Sequence, residues 1–146
     1  MADNYCIASS FLEFPEAKKS QVEAIISRIA KEIEEGYEAG EEEYSYLGVD
    51  IDVEHNGVWF HTDESLIPEH VERIARAIIE ELEIDSPFYC SWAFTCSKPR
   101  IDEFGGGAFA IVRGRDTHWV DAMTECVRWA EGTIVGEEDD PTGREK

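Results

Sequence analysis

Apolar positions recur along this chain with two different periods, and the two periods lay out its elements. Residues 5–14 carry the β-prone Tyr5, Ile7 and Phe11 and close at Pro15, which reads as a strand. Pro15 then suits the first turn of a helix, where its missing N–H leaves nothing unpaired, and Glu16 complements the helix dipole. Val22, Ile25, Ile26, Ile29 and Ile33 form one apolar stripe, which predicts a helix to about residue 35 with Gly36 as its stop.

Residues 44–54 read as a second strand, in which Val49, Ile51 and Val53 alternate with Asp50, Asp52 and Glu54. His55-Asn56-Gly57 follows, and Asn-Gly between two strand-like runs signals a hairpin returning over residues 58–62. Asp63 and Ser65 supply capping oxygens and Pro68 opens a second helix, whose stripe is Val71, Ile74, Ala75, Ile78, Ile79 and Leu82. Phe88, Cys90, Trp92, Phe94 and Cys96 then occupy alternate positions of a strand with one bulky face, expected to be central in the sheet. Residues 97–107 read as a polar connection, 108–112 as another strand, and 119–131 as a short helix with Val120, Met123, Val127 and Ala130 inward. The domain is expected to span residues 1–132, with 133–146 an acidic flexible tail.

Strand, helix, strand, strand, helix, strand is the ferredoxin-like βαββαβ order, here followed by an additional strand and a C-terminal helix. The expected fold is therefore α+β, an antiparallel sheet with helices on one face. Such a fold hosts many unrelated functions, so activity has to be argued from surface and site.

Composition adds a globular class: 42% of residues are apolar and 11% aromatic. The N-terminus lacks a basic segment followed by a long apolar run, and no stretch approaches 18 consecutive apolar residues. A cytoplasmic location is the expectation, with Cys6, Cys90, Cys96 and Cys126 as reduced thiols and no C-x-x-C spacing to suggest zinc.

Charge changes the picture most. Residues 32–72 contain 14 acids and no Lys or Arg, whereas the whole chain of 146 residues carries a net −20. Such concentration suggests a surface built to meet something positive, and it argues against direct contact with nucleic acid or a membrane surface. A solvated, solubilising surface is the plain alternative. Asp50, Asp52 and Glu54 would repeat along one strand face at about 6.5–7 Å, a spacing comparable to successive phosphates of a nucleic-acid strand. With Glu38, Glu41, Glu42 and Glu43 in the adjoining loop, they form the candidate partner-binding set. Neighbouring in-strand carboxylates sit too far apart to share one cation unaided, and no calcium-loop pattern is present, so no metal is expected.

Other chemistry is weaker. No catalytic motif is evident, and nothing local supports a nucleophile pair from Cys126 and His118 or from Cys90 and His61. Gly105, Gly106 and Gly107, with Lys98, Arg100 and Arg113 close in sequence, make an alternative anion site for a small-molecule-binding or enzymatic domain. Its pocket would be lined by Tyr89, Ser91, Arg100 and Arg113. A third possibility is a homo-oligomer associating through Trp119 and Trp129. No cofactor is expected.

The run Thr95-Cys96-Ser97-Lys98-Pro99-Arg100-Ile101-Asp102-Glu103-Phe104-Gly105-Gly106-Gly107-Ala108 resembles a segment of small acidic proteins of bacteria, plasmids and phages. The likeness spans roughly residues 58–120 and carries no assigned catalytic residues. It implies a mobile-element setting, where small acidic proteins resemble inhibitors of host nucleic-acid machinery such as anti-restriction or anti-CRISPR factors. Together with the charge, it leads to the expectation of a non-enzymatic protein that binds a basic surface of a nucleic-acid-binding partner.

Overall fold

The computed structural model describes residues 3–101 and 103–135. Its elements in order are β1 (Asn4–Glu13), α1 (Lys19–Glu38), β2 (Asp50–Val53), β3 (Gly57–Thr62), α2 (Pro68–Glu81), β4 (Phe88–Cys96), β5 (Gly105–Ile111), β6 (His118–Asp121) and α3 (Ala122–Val135). The strands form one antiparallel sheet in the order β2-β3-β1-β4-β5-β6. The first six elements thus realise βαββαβ, in an α+β fold with helices packed on a sheet, and β4 is central as its bulky face predicts.

Alternate strand residues point into the helix layer. Cys6 and Leu12, Val58 and Phe60, Phe88 and Cys90, and Phe109 and Ile111 are buried there. They meet Val22, Ile25, Ile29 and Ile33 of α1 and Val71, Ile74, Ala75, Ile78 and Ile79 of α2. Each large apolar side chain enclosed in this way contributes about 1.5–3 kcal/mol. Arg28 donates to Glu81 at 3.1 Å and Arg73 to Glu32 at 3.3 Å, so α1 and α2 run antiparallel with two cross-links between them.

Several boundaries depart from the sequence expectation, each for a local reason. A 3-10 turn over Glu16–Lys18 precedes α1, and α1 runs through Gly36 to Glu38. The chain leaves the helix at Gly40, whose φ of +79° places it in the left-handed region that glycine tolerates. Only the second half of the 44–54 segment is strand. Gly48 is drawn instead onto the start of α2, where its N–H donates to His70 Nδ1 at 3.0 Å and its carbonyl accepts from Ile67 N at 2.8 Å.

The hairpin is present, but its turn centres on His55-Asn56: Glu54 N donates to the Gly57 carbonyl at 2.8 Å. Neither Asn56 nor Gly57 takes a positive φ. Gly57 serves close approach instead, since a Cβ there would overlap the Phe11 ring and lie 2.9 Å from the Leu12 carbonyl oxygen.

The C-terminal third differs most. Gly105, Gly106 and Gly107 belong to β5 and pair with Phe94, Ala93 and Trp92 of β4, so the connection ends before them. Trp119 and Val120 lie in β6 rather than in a helix. α3 starts only at Ala122, where Asp121 Oδ1 accepts from Thr124 N at 2.9 Å and caps it. Met123 and Val127, expected inward, are exposed, and of that stripe only Ala130 is half-buried. α3 continues to Val135, so the first three residues assigned to the tail are helical; the rest of that tail lies outside the described residues.

A polar stripe on α2 holds the β5–β6 turn. Arg76 donates to Thr117 Oγ1 at 2.7 Å and to the Val112 carbonyl at 3.3 Å, Thr117 donates to Glu72 at 2.6 Å, and Gly114 N donates to Glu80 at 2.8 Å. The Gly114 N–H and the Arg76 guanidinium hold the Glu80 carboxyl below its ordinary range.

Candidate functional site

The strand positions not facing the helices make an open sheet face with aromatic and acidic parts. Phe11 of β1 stands opposite Trp59 of β3, and Ser9 opposite His61. On the far side of β3, Trp59 stands opposite Asp52 and His61 opposite Asp50. Four side chains connect across these rows. The Trp59 and His61 rings stack with centroids 3.6 Å apart and planes at 23°. Trp59 Nε1 donates to Ser9 Oγ at 2.8 Å, and His61 Nε2 lies 2.7 Å from Asp52 Oδ2.

Ser9, His61 and Asp52 thus share one neighbourhood without forming a nucleophile–base relay. Among the described residues Ser9 Oγ is held by the indole of Trp59, and no hydrogen bond joins it to His61. Phe11, Trp59, Ile7 and Tyr89 are exposed on this face. Between Ile7 and Ala93 it dips into a shallow concavity of about 520 Å³ lined also by Ser9, Ser91, Thr62 and Asp63.

The seven expected partner-binding acids divide. Asp50 and Asp52 project from the open face of β2 while Ile51 and Val53 turn toward the core, and Glu54 is exposed just beyond the strand. Glu38, Glu41 and Glu43 are exposed at the end of α1 and in the loop after it, at the margin of the helix layer. Both Glu41 N and Glu42 N donate to the Gly36 carbonyl, folding that loop back on the last turns of α1. Glu42 is half-buried and taken by Arg73 at 2.7 Å. Among the described residues no Lys or Arg pairs with the other six; only His61 meets one of them. The acids therefore form two groups around the β2 end of the sheet, not one continuous face.

That placement is electrostatically unfavourable for the fold itself. The last turn of α1 contains no basic residue, and acids at a helix C-terminus oppose its dipole by about 0.3–1 kcal/mol each. By contrast, the acids along the helix layer are matched: Glu32 by Arg73, Glu81 by Arg28, and Glu72 and Glu80 by Arg76.

The alternative anion site is not assembled. Lys98 and Arg100 precede β5, while Arg113 follows it and pairs with Asp85. A strand of that length separates them by more than about 20 Å. The open-face concavity shares only Ser91 with the expected lining. Cys6 and Cys90 are buried, Cys96 is partly so and Cys126 is exposed, all as free thiols; burial pushes the Cys90 thiol up, away from the reactive thiolate. Among the described residues no three His, Cys, Asp or Glu side chains cluster to hold a metal ion, and no helix is long and apolar enough to cross a membrane. No family model, curated protein or solved structure matches the chain significantly.

Of the Trp59–His61–Asp52 group, the sequence-based partner-binding set contains only Asp52. Trp59 and His61 alternate on the return strand directly after the hairpin, so their shared face was legible. Which cross-strand partners they meet depends on the register.

Proposed function

We propose that the protein binds a basic surface on a protein partner through the β2 end of its sheet, as a mimic of nucleic acid. The carboxylates of Asp50, Asp52 and Glu54, which meet no Lys or Arg among the described residues and of which Asp52 bonds His61, stand beside the exposed Trp59 ring and are the observation that carries this reading. The carboxylate row imitates phosphates, and the indole offers a stacking surface to an arginine guanidinium. Glu38, Glu41 and Glu43 extend the negative field toward the helix layer. The partner class is a nucleic-acid-binding protein, in keeping with inhibition of a defence or DNA-processing protein by a mobile element.

The test is recovery of partners from a lysate by the tagged chain, with washes of increasing salt and competition by DNA or RNA. Recovery at low salt, loss at high salt and displacement by nucleic acid are expected. Charge reversal by Asp50→Lys, Asp52→Lys and Glu54→Lys together abolishes recovery and leaves Tm unchanged or raised. Full binding by that triple variant sinks the proposal.

A further inference from the structure

Among the described residues the sheet has a second free edge: β6 pairs with β5 on one side only, and His118, Trp119, Val120 and Asp121 are all exposed. An unpaired edge is a template for another strand unless charge, proline or a bulge blocks it. β6 carries no Lys, Arg or Pro, and its one charged residue, Asp121, sits at its last position and is turned to cap α3. Its central residues are the strongly β-prone Trp119 and Val120. Trp119 is fixed in place by the Phe109 ring, at 4.9 Å between centroids, and by Trp92 at 6.2 Å. Met123 and Val127, one turn apart on α3, extend the exposed apolar area beyond the strand.

We infer that this edge pairs antiparallel with the same edge of a second copy, giving one continuous sheet across a two-fold axis. Charge identifies the occupant. Residues 104–133 carry Arg113, Arg115 and Arg128 against Asp116, Asp121, Glu125 and Glu131, a net of −1 in a chain of −20. A second copy is repelled by the acidic end of the sheet and can approach closely here. β2 lies five strand spacings from β6, about 24 Å, so in the dimer the acidic ends stand at opposite extremes, far beyond a Debye length of about 8 Å.

Antiparallel pairing about an axis normal to the sheet keeps like faces together. The register is then symmetric about Trp119, which meets its own counterpart, or about Val120. In either case Val120 lies next to the axis on the open face, facing its counterpart or that of His118.

Sedimentation velocity of the full chain tests this. The expected species at micromolar concentration has twice the 16.6 kDa of one chain, and its share rises with salt because screening relieves repulsion between two anions. Val120→Lys makes each chain less negative overall yet sets like charges against each other at the axis, and it weakens the dimer by about tenfold or more. Circular dichroism of that variant should match the parent. Reversal of Asp50, Asp52 and Glu54 leaves the dimer intact, which separates this inference from partner binding. A single-chain mass at every salt concentration, or a dimer untouched by Val120→Lys, overturns it.

Discussion

The two edges of the sheet solve the same physical problem in opposite ways. β2 and β6 are both short, and among the described residues each offers one row of backbone groups with no neighbour. β2 carries Asp50 and Asp52 outward, with Glu54 beyond, and this charge blocks indiscriminate strand pairing. The same charge makes it attractive to a cationic partner. β6 carries an exposed Trp119 and Val120 in nearly neutral surroundings, so its pairing is selected by what the rest of the chain repels. Salt should therefore weaken binding at one edge and strengthen it at the other, which makes ionic strength the sharpest way to tell them apart.

Substitutions can break or sharpen this contrast. The largest effect should come from the core both edges share. Phe60 is buried on β3 and packs its ring near Phe88, and Phe60→Ala should cost about 3–5 kcal/mol in chemical denaturation. Binding and dimerisation should weaken together; loss of one alone would show that the edges stand on separate supports.

A smaller and one-sided effect is expected at Gly57. An added methyl group there collides with Phe11 and the Leu12 carbonyl, so Gly57→Ala should destabilise by about 1–3 kcal/mol. The damage lies at the β1–β3 contact that supports β2. Partner capture should fall while the sedimentation of β6-paired dimers persists, and a dimer lost in parallel would contradict the division.

The smallest effect is a pH dependence confined to the acidic end. His70 is buried with Nδ1 accepting from Gly48 N, which requires that nitrogen unprotonated. Burial holds its pKa below the ordinary 6.5. As pH falls, the unfolded chain therefore binds the proton first. The stabilisation is complete above about 6.5 and declines as pH drops through that value toward the folded pKa. Thermal melts across this range should show the decline, and His70→Gln should remove it. The 39–49 loop should loosen, measured by amide exchange at Gly48, while β6 amides stay unchanged.

Legibility in the sequence followed the origin of each feature. The apolar stripes of α1 and α2 and the alternation in β4 need only local periodicity, and they placed the helices, the central strand and the βαββαβ order. β6 was hidden because His118 to Asp121 is too short to show a period and runs directly into a helix. The expected stop at Gly36 failed because glycine tolerates a helix interior, whereas Gly40 adopts a backbone angle that other residues avoid. The polar ladder Glu72, Arg76 and Glu80 repeats every four residues, yet nothing in that pattern says that it grips the β5–β6 turn.

The acidic window shows the same division. Its composition and its lack of Lys and Arg are properties of the chain alone, and so is the alternation that sends Asp50 and Asp52 away from Ile51 and Val53. Pairing between elements is not. Arg73 lies outside the window in sequence, and only the packing of α2 beside α1 and the loop after it brings it to Glu32 and Glu42, whereas Arg76 meets Glu72 by helical spacing alone. Tertiary structure decided which carboxylates are neutralised and which remain free, because a charge is matched by whatever lies within a few ångströms in space, at any distance along the chain.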